Sequence, residues 1–551
     1  ALEAQVAGKY PDASRHYARA LRLSPNHPTA THNYGILLAQ TGNLNEGLLA
    51  MERAGLFDGV EPLIAANRAL MSLEADRLEE AREAADRAVG LAKDRPADPA
   101  GEPLKAAGYV GARLAYAMIA AASGEPAKAY PAYLEMLAVD PRHPAAGPNS
   151  CFITSLMPVG PEEVLKPRLF WKEQHGYKGK TWPHGNDRDP DRKLRVGYVG
   201  GDFKSHSAAM MFAQVIFNHD REQIETFLYS SLPTDPEHDD LSAKFREAGT
   251  FREIIGVSDE DAEVLIGQDK IDVLVDLAGH TNGGRLGLFT RRPAPVMVTA
   301  WGFAHGTAIE FDAFFADPVA VPESERKYYV ERVYDLPSIV TYRPPVEYGL
   351  KASSPLPFYR NEYITLGSFS RFEKASEEYL ACVRRIMKRL PNSRMVFKDH
   401  AFRRPYSIRR ILSAMPDIDK DRFSFGLATA HAEHMTAYQD VDIYLDTWPH
   451  GAGVVSLECL YMGVSLLTRT GPQAAGRTAT SVLTAIGRTE WISETADDFV
   501  ENVVEWANRP ADLAKSRKTL REELVNSPVI AGYPQAVEKA YRTLWREWCA
   551  K

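Results

Sequence analysis

The chain predicts an α-helical repeat solenoid followed by two doubly wound α/β domains. A fixed spacing recurs through the first third, short apolar runs then alternate with helical segments, and a Pro-rich break divides this second part. At 551 residues the chain has room for several cores, which single-domain folds of this length do not sustain.

The spacing comes first. Gly8, Gly42 and Asp76 stand 34 residues apart, as do Ala20, Ala54 and Ala88, and Tyr10, Leu44 and Leu78. This is the tetratricopeptide period. A fourth copy follows an insertion, because Gly124, Ala129, Tyr133 and Pro141 repeat the spacing of Gly8, Ala13, Tyr17 and Pro25. The insertion, around Lys93 to Pro103, clusters Pro and Gly as a loop does. Two uses of the array stay open: a concave groove for an extended peptide, or a solubilising or dimerising appendage that would make a homodimer. From Pro144 to Trp182 the pattern turns irregular, with Pro158, Pro161 and Pro167, and reads as an adaptor of short helices.

From Leu194 the period changes. LRVGYVG, GDFKSH and SAAMM read as strand, tight loop and helix N-terminus, the arrangement that presents backbone N–H groups at the carboxyl edge of a sheet. ETFLYSS, IDVLVDLAG, VMVTAWG and FDAFFAD continue the first half, with a helix at Asp259 to Gly267. Pro344 to Pro357 forms a hinge. YITLGSF, a helix from Ser376 to Arg389, RMVFK, RFSFG, a helix near His431 to Tyr438, DIYLD, a helix after Gly453 and SLLTR make the second half. The expected boundaries are 1–143 for the repeats, 144–190 for the adaptor, 191–345 and 346–530 for the two Rossmann-like halves, and 531–551 for a closing helix. That helix, with Trp545 and Trp548, either braces the first half or belongs to a local core.

Several function classes are disfavoured. A net charge of −8 argues against a protein that lives on nucleic acid or anionic membrane. No G-x-G-x-x-G follows a strand, which lowers a dinucleotide reading. The cysteines are scattered without C-x-x-C spacing, which fits a reducing, cytoplasmic setting and no cysteine metal site. No apolar run approaches the roughly 18 residues of a membrane helix. Asp440-Val-Asp442 has the letters of a D-x-D metal site but precedes its strand instead of ending it, so no metal is expected.

LRVGYVGGDFKSHS, DLAGHTNGGR with RRPAPVMVTAWGF, FSRFEKASEE with RLPNSRMVFK, AEHMTAYQDVDIYLD, and GAGVVSLECLYMGVSLLTRTG together resemble the O-linked N-acetylglucosamine transferases, in order, over roughly residues 190–490. The resemblance implies a GT-B glycosyltransferase that moves GlcNAc from UDP-GlcNAc to protein Ser or Thr hydroxyls, with inversion and no cofactor or metal. Two alternatives remain: the same chemistry on a non-protein acceptor, or a degenerate transferase serving as a repeat scaffold.

The resemblance also assigns residues. Lys374 stands where the family places its diphosphate-contacting lysine, and loss of a UDP leaving group needs a fixed cation there. Arg371 occupies a position where animal enzymes have Gln, and a second cation suits phosphate. His434 matches a histidine that packs on the uridine, and Glu458 an acidic residue for the ribose hydroxyls. Gly451 and Gly453 let backbone N–H groups approach the diphosphate. Val454 and Val455 replace the family's paired threonines, which implies weaker donor binding or contacts through backbone. Lys398 is a further basic candidate at a strand end. Arg477 is either another or a helix-face charge. His206 matches a histidine proposed as general base, and it either takes the acceptor proton or positions substrate. Asp202 either orients it or caps the helix. His280 has a similar strand-end setting and is a candidate for the same cleft, and His305 alters the family's G-[YF]-P-G-T turn on the acceptor side.

Overall fold

The computed structural model describes residues 1–55, 62–351 and 354–551, and its chain divides into two compact units. One comprises Ala1–Ile153 with Ala401–Arg410, the other Thr154–His400 with Ile411–Lys551.

In the first unit, helices pair as the repeat requires: Pro28–Gln40 with Leu44–Ala54, Pro62–Glu74 with Leu78–Leu91, and Pro103–Ala122 with Pro126–Leu137. The recurring glycine column has a backbone cause. Gly8, Gly42 and Gly124 turn between paired helices at φ of 71°, 86° and 72°, where a side chain is strained. Asp76 holds the same turn at φ 58°. Its carboxylate compensates by receiving Arg404 at 2.8 Å and Arg403 at 2.7 Å, both from the 401–410 segment of the same unit. Close approach explains the small residues: a Cβ on Gly47 would lie 2.6 Å from the Gly35 carbonyl of the neighbouring helix. Of the 144–190 segment expected as an adaptor, Ala146–Ile153 groups with the repeats, whereas Pro161–His175 groups with the second unit.

The second unit holds two parallel sheets. The first contains β1 (Leu194–Gly200), β2 (Ile224–Ser230), β3 (Thr250–Glu253), β4 (Val273–Asp276), β5 (Val296–Thr299), β6 (Ala313–Ala316) and β7 (Val333–Asp335), in the order β3-β2-β1-β4-β5-β6-β7. The second contains β8 (Thr365–Ser368), β9 (Arg394–Lys398), β10 (Phe423–Gly426), β11 (Ile443–Leu445), β12 (Ser465–Arg469) and β13 (Ile492–Ser493), in the order β10-β9-β8-β11-β12-β13. Central strands such as β4, β5, β8 and β11 are buried throughout, which is why they read as continuous apolar runs. The strand order reverses between β1 and β4 and between β8 and β11, and ligands of open α/β sheets bind at such switch points.

The closing helix, Tyr533–Cys549, returns to the first half. Tyr533, Val537, Ala540, Tyr541, Leu544 and Trp545 enter the core around β1, β4 and β5. Trp301 donates to the Tyr533 hydroxyl at 3.1 Å, and the Tyr198 and Tyr541 hydroxyls lie 3.2 Å apart. The D-x-D letters serve the scaffold: Asp440 pairs with Arg360 at the surface, while buried Asp442 accepts the Thr365 and Phe358 N–H groups.

Candidate functional site

The second switch point brings together most of the expected donor residues. After β8 the chain makes a tight turn, Phe372–Lys374, and Lys374 Nζ donates to the Gly451 carbonyl at 2.8 Å. Gly451 belongs to the loop after β11, which ends at Gly453, the N-cap of helix Val454–Tyr461. Burial and then the Arg371 charge push the Lys374 ammonium down to about 7, against the opposing pull of Asp446 and Glu373. An ammonium so held is poorly compensated by the protein alone, and an incoming anion supplies what it lacks. Val454 is buried and Val455 half-buried, so this helix start offers backbone N–H groups instead of hydroxyls.

A second cluster lies beside the first. Lys398, at the end of β9, reaches the Thr429 hydroxyl at 3.1 Å and His434 Nδ1 at 3.1 Å. His434 Nε2 faces Glu458 Oε2 at 3.3 Å, and His431 Nε2 meets Glu458 Oε1 at 2.7 Å. The Tyr348 hydroxyl sits 3.1 Å from His431 Nδ1, and the Tyr438 hydroxyl donates to Glu458 Oε2 at 3.2 Å. Lysine can only donate and a carboxylate can only accept, so the network assigns His434 as the Nε2–H tautomer. Burial alone raises the Glu458 carboxyl, but the hydrogen bonds from His431 and His434 outweigh it and hold the group down at about 2. The sequence expectation of a carboxylate open to ribose hydroxyls is therefore corrected: the Glu458 side chain is only 4% exposed and its oxygens are taken. It acts by fixing His431 and His434; His431, Tyr438 and Tyr348 join this cluster beyond the residues the sequence motifs mark.

Other expected residues fall elsewhere. Arg477 is buried and bidentate to Glu325 at 2.8 and 2.7 Å, and it also donates to the Gly471 and Ala320 carbonyls. It clasps the first half to the second and is neither a diphosphate ligand nor a helix-face charge. Arg477→Ala strands Glu325, so a loss of about 3 kcal/mol in urea denaturation is expected, with UDP affinity unchanged by calorimetry. His280 donates to the Thr307 carbonyl at 3.1 Å and packs edge-on to Trp171, and burial with the Arg168 charge pushes it down to about 3. His305 is buried too and held well below its ordinary range by burial and Arg168. It borders a space of roughly one water's size with Arg168, Glu331 and Gln473. Neither histidine can serve as a titrating group near neutrality.

His206 caps helix Ser207–Ile216, its Nδ1 accepting from the Ala208 N–H at 3.3 Å. Asp202 Oδ2 lies 3.4 Å from the same nitrogen. The two contacts need opposite protonation of Nδ1. With the cap made, Nε2 carries the proton and the ring can only donate or position. Turned to Asp202, Nδ1 carries it and Nε2 becomes a base. The helix His206 caps is in contact with helix Val454–Tyr461, so the two halves meet through these helices.

Comparison with known proteins identifies the family. The family model described as glycosyl transferase family 41 matches residues 175–341 and 357–534. The chain is 30% identical over 429 residues to a Petunia hybrida protein named probable UDP-N-acetylglucosamine–peptide N-acetylglucosaminyltransferase SPINDLY, covering 75% of the chain and 45% of that relative. It is 25% identical over 374 residues to the Arabidopsis thaliana protein of the same activity name called SEC, covering 65% of the chain and 38% of the relative. The chain thus spans less than half the length of these relatives. Among solved structures, a variant of the O-GlcNAc transferase of Thermobaculum terrenum superposes with a TM-score of 0.80 at 25% identity, covering 95% of this chain and 98% of that one. A helical repeat array, two parallel sheets that each reverse strand order at their centre and a family match over both sheets lead to one assignment: the chain belongs to glycosyl transferase family 41.

Proposed function

We propose that the protein transfers GlcNAc from UDP-GlcNAc to Ser or Thr hydroxyls of a protein acceptor, with inversion and without a metal. The observation that supports this reading most is Lys374, a partly buried ammonium pressed against the loop that starts the donor helix. As the bond between the anomeric carbon and the β-phosphate oxygen stretches, negative charge builds on that oxygen. Lys374 and the Val454 and Val455 N–H groups are the fixed positive groups there. The acceptor oxygen attacks the anomeric carbon from the opposite face, UDP departs, and the hydroxyl proton goes to His206 in its Asp202-facing tautomer. In the capping tautomer His206 only positions the hydroxyl, and the proton leaves to water or to a phosphate oxygen of the donor. Lys398 and His434 form the shelf for the nucleoside end, with Glu458 holding His434 in place. The repeat array would present the acceptor as an extended segment.

The test is transfer by the purified chain to a Ser/Thr peptide library and to lysate proteins, read as added HexNAc by mass spectrometry, with and without EDTA. UDP-GlcNAc is to be compared with other UDP- and GDP-sugars. HexNAc on protein hydroxyls at an EDTA-insensitive rate is the expected result. Transfer from a different nucleotide sugar would overturn the donor assignment, label confined to glycan products the acceptor assignment, and EDTA-abolished activity the metal-free mechanism.

A further inference from the structure

The second sheet repeats a stretch of the first. Residues 271–280 read IDVLVDLAGH and residues 441–450 read VDIYLDTWPH, so both follow one pattern of Asp, three apolar residues, Asp and, four positions later, His. Each copy forms the strand beyond the switch point of its own sheet, β4 and β11.

The hydrogen bonds repeat with the letters. The first aspartates, Asp272 and Asp442, are buried and accept the backbone N–H of Arg195 and of Thr365, each at 2.8 Å, at the start of β1 and β8. Their own N–H groups return to the carbonyls of those same residues at 2.9 Å. Of the second aspartates, Asp276 ends β4 and Asp446 directly follows β11. Each takes the hydroxyl of a threonine on the next strand, Thr299 at 2.8 Å and Thr468 at 2.7 Å, and then backbone N–H groups of the loop that follows. A pattern shared by side chain, backbone and register alike is an internal duplication at the centre of each sheet.

The copies differ in what the second aspartate holds. Asp276 closes a tight turn through the Ala278 and Gly279 N–H groups, and its charged neighbour is Glu331, of like sign. Asp446 takes the adjacent Thr447 N–H but also reaches around to Ala452 at 2.7 Å. It therefore closes the whole stretch from Thr447 to Ala452, in which the Gly451 carbonyl receives Lys374. We infer that Asp446 is a positioning residue for Lys374 and for the loop entering the donor helix, and that Asp276 keeps the same module in its structural form.

The inference rests on the proposed function only in naming what Lys374 engages. The charged groups around the lysine are Arg371 and Glu373 from its own turn and Asp446 from the loop. His450, from the same loop, is held neutral by burial and by Lys374 and Arg371. Removing the Asp446 charge takes away the larger of the two carboxylate influences that hold the proton on Lys374 against burial and Arg371, so Lys374 should release its proton at lower pH.

The experiment compares Asp446→Asn with Asp276→Asn. Competitive acetylation of the ligand-free full chain across pH, read by peptide mass spectrometry, follows Lys374 without any donor. Asp446→Asn is expected to move its titration down by about one pH unit, and Asp276→Asn to leave it in place. UDP titration at pH 8.5 should then weaken about tenfold in Asp446→Asn, because a one-unit fall changes the ammonium fraction by that factor, and stay within about twofold in Asp276→Asn. If the amide variant does not fold, Asp446→Ser gives up the charge without adding an amide donor and carries the same expectation. An unmoved Lys374 titration in a folded Asp446 variant, or an equal shift in Asp276→Asn, overturns the inference. The titration difference between the variants, together with a wild-type chain that binds no UDP, would overturn the donor-site reading and leave the positioning role standing.

Discussion

Lys374→Met is expected to lower kcat/KM by a factor of about 10² to 10³, the size of effect seen when one fixed group facing a developing charge is removed. Methionine keeps the unbranched stem, so the turn after β8 should retain its packing and far-UV spectrum, while the Gly451 carbonyl loses its ammonium donor. The pH dependence separates chemistry from stability. With its ammonium depressed to about 7, Lys374 binds its proton less tightly in the folded chain than in the unfolded one, where the value is about 10.4. Between those values the unfolded chain holds more protons, so stability rises with pH across that window, and at or below pH 7 the buried charge is a net burden. Lys374→Met should therefore gain stability over wild type at pH 6 and lose that advantage at alkaline pH. Activity moves the other way: wild-type kcat/KM falls as pH rises past about 7 in the free enzyme, because the charged form is the one that engages phosphate. Steady-state kinetics from pH 6 to 9 with urea denaturation at the same points checks both. A variant with kcat and KM within about twofold of wild type would remove Lys374 from the mechanism.

The repeat array and the central strands were legible because both are written in local pattern. The glycine column repeats since the turn between paired helices needs positive φ, and Asp76 shows the same demand met by a residue that tolerates it. β4 and β11 read as buried strands since both faces are covered. The edge strands β3, β7 and β13 were not read: they are short and partly exposed, and carry no apolar run to mark them. Site residues divided in the same way. Lys374, Lys398 and His434 sit where chain order and strand ends place them. Arg477 and Glu458 depend on partners far away in the sequence, Glu325 for one and His431 with His434 for the other, and no spacing rule announces such pairs. His280 and His305 have the letters of site histidines, but burial beside Arg168 removes the titration that would make them chemical groups.

Glu458→Ala is expected to destabilise the fold by about 3 to 5 kcal/mol and to abolish measurable UDP binding in the same variant. The carboxylate is buried and receives His431, His434 and Tyr438, so truncation leaves one buried and two half-buried donors without their acceptor. Binding fails with stability because His434 also faces Lys398: freed from Glu458, the ring loses the contact that fixes its tautomer, and Lys398 keeps only the Thr429 hydroxyl as a fixed acceptor. Glu458→Gln tests charge apart from volume. Its amide NH2 would oppose one histidine N–H, so a smaller loss is expected, with one ring forced to the other tautomer. The sign with pH follows from a carboxyl held at about 2, below the unfolded value of about 4.3. Its stabilisation is complete above the unfolded value and disappears as pH falls through the folded one, so the gap between wild type and Glu458→Ala should be constant above pH 5 and close as pH drops toward 2. Urea denaturation at pH 7 and at pH 3, with UDP calorimetry at pH 7, reads all three effects. Equal gaps at the two pH values would show that the lost stability comes from packing and not from the carboxylate and its histidines.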